Sequence, residues 1–323
     1  ARGFLPHKLC ILLLSILMPG NLAASIMPAN LNTDFGNLCI EGTQGNFFDL
    51  RCTFLRNSNA LQSILDNLSE HAFILELNHL DWKSFPLNFF HNVSLHTLII
   101  ADSTFNAFQN CSTPDYSVES LLHFSLENVT LREKLRWEDF KTLNKLEILS
   151  IYNTTISSSI NSSFGHNLSQ SLAVLTIAES NVTEIKADSF RPLKNLTYLR
   201  ISHNKLETFP KLILKAPEKL EQLRLDYNRI NTLPAGVFDN FSNLKVLSLS
   251  NNSLSTLREE VFSVLWRPSV RIELRDNPIK CDCRIFWIVS SLSKPRSLIG
   301  KCAHPKRLYG RNLIDLKAED FIC

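Results

Sequence analysis

Three small groups of polar and aromatic residues stand one and then about two lengths of a 24-residue interval apart: Tyr198, Arg200 and His203, then Arg224, Asp226 and Tyr227, then Arg271, Glu273 and Arg275. Their chemistry is recognition and not bond making. A guanidinium forks onto a carboxylate, a phenol joins an apolar ring to a polar tip, and binding energy concentrates in these residue types. Signatures of catalysis are missing, with no G-x-S-x-G elbow, H-E-x-x-H helix, G-x-x-x-x-G-K loop or G-x-G-x-x-G turn. Nine glycines in 323 residues leave little material for phosphate-cradling loops. The adjacent carboxylates Glu259 and Glu260 read as a solvated face. Of nine histidines, His203 alone falls beside other contact-type residues. The chain is therefore read as a non-enzyme without catalytic residues, metal or cofactor, and no nucleic-acid partner is expected.

Something periodic must hold those groups. LTYLRISHNKL begins at Leu196, LEQLRLDYNRI at Leu220 and LKVLSLSNNSL at Leu244, a repeat of 24 residues. Weaker copies start at Ala72, Leu95, Leu121, Leu146 and Leu172, and one more, SVRIELRDNPI, at Ser269, giving nine turns spaced 23 to 26 residues apart. The pattern L-x-x-L-x-L-x-x-N-x-L resembles the leucine-rich repeat. That resemblance implies an α/β solenoid, a right-handed horseshoe with a parallel concave sheet. In each turn L-x-L is a short strand, so Leu223 and Leu225 face the core while Gln222, Arg224 and Asp226 face out. One turn cannot bury its leucines alone, whereas stacked turns share an apolar column. The asparagine column, Asn204, Asn228, Asn252 and Asn277, offers a donor and an acceptor to a backbone corner. Earlier turns hold Leu80, Ser103, Val129, Thr154 and Ser180 there, so the first half is expected to be less regular. Phe190, Phe238 and Phe262 pack the outer side.

The first residues carry Arg2 and Lys8, then LCILLLSILM, then Pro19, Gly20 and small residues to Ala24. This reads as a secretory signal peptide over 1–24, and the chain beginning at Ala1 reads as a fragment or processed product. Eleven N-x-S/T sequons agree with an extracellular, glycosylated chain: Asn67, Asn92, Asn110, Asn128, Asn153, Asn161, Asn167, Asn181, Asn195, Asn240 and Asn251. Cys39 and Cys52 flank CIEGTQGNFFDLRC, an N-terminal cap over 25–71 that includes a helical pattern at 59–70. Nine repeats follow over 72–279, then a second cap over 280–323. The four cysteines of that cap could hold zinc, although a secreted chain favours disulfides at both ends. Cys111 is left over, either a buried thiol or the site of an intermolecular bridge.

NPIKCDCRIFW and the residues to Cys323, with Trp287, Pro305, Leu316 and Phe321, resemble the C-terminal cysteine cap of extracellular leucine-rich repeat proteins. By that resemblance Cys281 pairs with Cys302 and Cys283 with Cys323. From CIEGTQG to KAEDFIC the chain is similar to secreted arthropod relatives of the non-catalytic leucine-rich repeat subunit of Oplophorus-type luciferase. This implies an extracellular scaffold that associates with another polypeptide, a catalytic or receptor subunit. The alternative is the ectodomain of an innate-immune or matrix receptor binding glycans or microbial ligands. Residues 280–323 hold nine Lys or Arg and four Asp or Glu, while the rest holds 25 against 27. The whole positive excess thus sits in the cap, through Lys294, Arg296, Lys301, Lys306, Arg307 and Arg311, and suits contact with sulfated glycans.

Overall fold

The computed structural model describes residues 39–44, 47–66, 73–90, 93–109, 120–211, 213–214 and 217–323. The expected leader over 1–24, the sequons at Asn67, Asn92 and Asn110, and Cys111 lie outside the described residues. In chain order the strands are β1 (Cys39–Gln44), β2 (Phe47–Thr53), β3 (Phe73–Asn78), β4 (Asp81–Pro86), β5 (Leu95–Ala101), β6 (Thr104–Gln109), β7 (His123–Glu127), β8 (Thr130–Leu131) and β9 (Ile148–Tyr152). They continue as β10 (Ser159–Ile160), β11 (Val174–Ala178), β12 (Glu184–Ile185), β13 (Tyr198–Ser202), β14 (Gln222–Arg224), β15 (Val246–Ser248), β16 (Arg271–Glu273) and β17 (Ser297–Ile299). One sheet of twelve strands runs β1-β2-β3-β5-β7-β9-β11-β13-β14-β15-β16-β17. Its pairings are parallel except for the β1–β2 hairpin. All nine expected turns contribute a strand, and each cap adds to an end of the sheet.

Register follows from the leucines. Leu175, Leu199, Leu223, Leu247 and Ile272 pair in one line and are fully buried. Each contributes about 1.5–3 kcal/mol of burial. A one-residue slip would turn that line to solvent, so the outward residues are fixed as firmly as the inward ones. On the return side the two halves differ. The first turns form a second parallel sheet there, β4-β6-β8, whose first strand buries Trp82 and Phe85 on either side of Lys83 and Ser84. Beneath it Phe85 meets Phe105 at 5.7 Å and Phe108 at 5.9 Å. Phe190, Phe238 and Phe262 are buried on the same outer side, as expected.

The asparagine column does what its chemistry suggests. Asn228 Oδ1 accepts from the Leu206 amide at 3.1 Å, and its Nδ2 donates to the carbonyls of Ile201 and Leu225 at 2.8 and 3.1 Å. Asn204, Asn252 and Asn277 repeat the arrangement. The first half departs from expectation. It carries the longer strands, six residues in β3 and seven in β5 against three in β14 to β16. The Leu80 and Val129 side chains cannot bond, but their own amides are met by hydroxyls of the next turn. Ser103 Oγ accepts from the Leu80 amide and Thr154 Oγ1 from the Val129 amide, both at 3.0 Å.

Immediately before this column the backbone turns left-handed in every repeat. His79, Asp102, Asn128, Asn153, Glu179, His203, Tyr227, Asn251 and Asp276 have φ between 42° and 55°. Outside glycine that conformation costs about 1–2 kcal/mol, least for Asn and Asp. The side chains interact along the resulting edge. Phe54, also at positive φ, stacks on His79, Asn128 donates to Asp102 and Asn153 to Asn128, and His203 stacks on Tyr227.

Both ends are stapled. Cys39 faces Cys52 across the β1–β2 hairpin and is disulfide-bonded to it. Helix α1 (Ser58–Asp66) buries Leu61, Ile64 and Leu65. At the other end Cys281–Cys302 and Cys283–Cys323 are disulfides, which removes the zinc alternative. The Trp287 indole donates to the Leu257 carbonyl at 2.7 Å and meets Trp266 edge-on, tying the cap to the last repeats. No helix among the described residues is long and apolar enough to cross a membrane.

Candidate functional site

The outward face of the sheet changes character along its length. At the start its charges neutralise one another: Arg51 contacts Asp49 at 3.0 Å and Glu76 at 3.4 Å. Across β5 to β11 the outward residues Thr97, Ala101, Ser125, Ser150, Thr176 and Ala178 are buried between their neighbours, and Ile99, Ile148 and Val174 are half-buried. Small and aliphatic side chains predominate there, and the larger polar groups of the same columns are His123, which is buried, and Glu127 and Tyr152, which are half-buried.

From β13 onward larger groups stand up. Arg200 and Arg224 are register partners, hence about 4.8 Å apart at the backbone. Arg200 donates through Nε to Ser202 Oγ at 2.7 Å. Asp226, the nearest acid in sequence, does not neutralise either arginine. Its Oδ1 accepts from Ser248 Oγ and from the Ser250 amide. Among the described residues neither Arg200 nor Arg224 has an ion pair. Like charges in register repel, so this pair favours an anion placed over it. Tyr198 starts the strand of Arg200, half-buried. Beside the arginines the rings of His203 and Tyr227 lie nearly parallel with centroids 4.1 Å apart, and Tyr227 is 49% exposed. Burial lowers the His203 pKa, opposed by Glu179 and Asp226 and aided by Arg200. The stack therefore offers an uncharged aromatic surface at neutral pH.

The expected groups do not all converge. Arg271 is consumed by Glu273 at 2.6 Å, and Ser248 Oγ also bonds Glu273. Arg275 turns toward the C-terminal cap and lines a cleft with Lys301 and Tyr309. Sequence reasoning missed this cleft, since its walls come from segments more than twenty residues apart. Of the described sequons Asn128, Asn153, Asn161, Asn181, Asn195 and Asn240 are exposed and Asn251 is half-buried one rung beyond Tyr227. Asn167 is buried, with Nδ2 donating to the Ser163 carbonyl at 2.7 Å.

The sequence profile of the family described as Leucine rich repeat matches residues 170–215 and 218–279, and that of the Leucine rich repeat C-terminal domain matches 301–323. The chain has the leucine-rich repeat fold, closed by a C-terminal cysteine cap. No curated protein sequence matches it significantly. Several solved leucine-rich repeat structures have the same fold. A TLR13–ssRNA13 complex matches over 71% of this chain at 21% identity and TM-score 0.57. This leucine-rich repeat chain spans only 32% of the TLR13 chain. Human 5T4, also titled Wnt-activated inhibitory factor 1 or trophoblast glycoprotein, matches over 85% of this chain and 94% of its own at 19% identity and TM-score 0.54. An octameric complex of Latrophilin 3, Unc5D and FLRT2 (LRR) matches over 78% of this chain and 90% of that one at 19% identity and TM-score 0.53.

Proposed function

We infer that the protein is a secreted, glycosylated, non-catalytic scaffold that binds another extracellular protein through the concave face of its later repeats. The observation that carries this reading is the register pair Arg200 and Arg224, without a carboxylate of its own and flanked by Tyr198 and the His203–Tyr227 stack. A partner carboxylate would bridge the two guanidiniums while apolar groups cover the rings. The resemblance of the sequence to relatives of the luciferase subunit favours a subunit-like role and does not imply luminescence. An extracellular address is supported by the apolar leader, the sequons and the disulfides. Cys111 offers a covalent link to the partner. The test is affinity capture of the natively secreted protein, in parallel with R200E/R224E. We expect the variant to be secreted and to melt normally and to lose the captured protein. Equal recovery on both baits would refute the concave site.

A second reading, the receptor ectodomain that meets glycans, draws on the cap. Three of its four acids neutralise Arg284, Arg311 and Lys317. Lys280, Lys294, Arg296, Lys301, Lys306 and Arg307 remain without ion pairs among the described residues. Arg311 thereby leaves the expected basic set, because Asp320 holds it at 2.7 Å. Unchanged heparin retention at low salt in K306E/R307E would dismiss the glycan contact, and a hydrophobic span encoded after Cys323 would favour the receptor.

A further inference from the structure

The last repeat and the cap border an open cleft of about 700 Å³, within the range of ligand-binding pockets. It is lined by the turn after β16, with Arg275, by Ile299 at the end of β17 and Lys301 just after it, and by the following segment, with Tyr309 and Ile314. The cleft is built, not incidental. Lys301 bridges Asn312 in antiparallel fashion, the Gly310 amide donates to the Cys302 carbonyl at 2.9 Å, and the Leu313 amide donates to the Gly300 carbonyl at 3.0 Å. Cys302, also in the lining, is fastened to Cys281. Gly300 has no room for a side chain, since a Cβ would lie 2.9 Å from Leu313 Cδ1 and 3.1 Å from Leu274 Cβ. A frame so fixed loses little entropy when something binds.

Its chemistry is two-sided. Arg275 and Lys301 are exposed and lack ion pairs among the described residues, and Asp276 is the single acid of the lining. In the same lining Tyr309 is 76% and Ile314 40% exposed. Large apolar groups facing water beside unmatched positive charge call for a partner with both properties. The geometry points to this cleft as the docking site of an extended acidic segment of a partner protein, with carboxylates on Arg275 and Lys301 and an apolar side chain against Tyr309 and Ile314. A sulfated glycan would satisfy the cations and leave Tyr309 and Ile314 bare, so the observations favour the peptide. The inference stands apart from the concave reading, because Arg200 and Arg224 do not line the cleft.

The test uses the full secreted chain and two fluorescein-labelled synthetic peptides, one alternating glutamate with leucine and the other glutamate with serine, followed by fluorescence anisotropy. The glutamate–leucine peptide should bind saturably. Its affinity should fall at least about tenfold in R275E/K301E and in Tyr309→Ser, and stay unchanged in R200E/R224E. The glutamate–serine peptide should bind at least about tenfold more weakly. Hydrogen exchange of the unmodified chain should show peptide-dependent protection over 298–314, a readout that needs no variant to fold. Absence of saturable binding, protection elsewhere, or indifference to R275E/K301E would overturn the proposal. So would equal binding of both peptides with Tyr309→Ser without effect, which would assign the cleft to polyanions such as heparin.

Discussion

Replacing Asn228 with alanine should uncouple one turn of the solenoid from its neighbour. The side chain is buried and holds three groups at once: the Leu206 amide and the carbonyls of Ile201 and Leu225. Removing it leaves a buried amide without an acceptor, a cost of about 1–3 kcal/mol, and each carbonyl loses a bond of about 1 kcal/mol net. Partial relaxation and the second lone pair of each carbonyl reduce the total to about 2–4 kcal/mol. Repeats contact only their neighbours, so the loss should stay near the damaged rung. Native-state hydrogen exchange reads this directly. At about 1.4 kcal/mol per factor of ten, the Leu206 amide should exchange roughly 30- to 1,000-fold faster in Asn228→Ala. The Leu254 amide, bonded to Asn277 at 3.0 Å, is the internal control and should barely change. Unaltered protection of Leu206, or equal loss at Leu254, would refute the reasoning.

Two further outcomes follow from other buried groups. Burial lowers the His123 pKa to about 4, with His96 adding to the effect, against about 6.5 in an unfolded chain. The unfolded state therefore binds a proton that the folded state refuses. This stability is complete above about pH 6.5 and is lost as the pH falls toward 4, about 3 kcal/mol in all. His123→Leu should flatten the pH dependence of urea midpoints in that window, and an unchanged slope would exclude His123 as its source. Site-resolved glycopeptide mapping should find Asn240 and Asn195 occupied and Asn167 bare, since Asn167 Nδ2 already serves the Ser163 carbonyl in the interior. A fully occupied Asn167 would mean that α2 (Ser162–Asn167) is packed differently.

The leucine period made the sheet legible because it reports burial directly. Leu199, Leu223 and Leu247 recur at one spacing, and their alternation with Arg200, Arg224 and Ser248 sets the outward face. The pairs Cys281–Cys302 and Cys283–Cys323 were legible through the cap's resemblance to those of extracellular leucine-rich repeat proteins, not from burial. The left-handed rungs were not readable. Their residues run from His79 to Glu179 to Tyr227, and a backbone angle imposes no side-chain type. Nor was the second sheet of the early turns, where Trp82 and Phe85 stand three residues apart and so do not show the two-residue period of a strand. The sequence also left open whether Asp226 would meet Arg200 or Arg224. That depended on Ser248 and Ser250, a full repeat away.

The left-handed edge has a consequence for how this surface could change over generations. Among the described residues four asparagines have positive φ, Asn128, Asn153, Asn181 and Asn251, and each opens an N-x-S/T triplet. Asparagine is favoured there for its tolerance of the angle, and it is also the acceptor for N-linked sugar. A position selected for backbone reasons is thus one or two mutations from carrying a bulky hydrophilic branch. At Asp102 the next two residues are already Ser103 and Thr104, so D102N, a single base change, would complete a triplet without touching the core. Shielding along this margin could be gained or lost turn by turn, through exchanges such as Asp for Asn that the left-handed backbone tolerates equally.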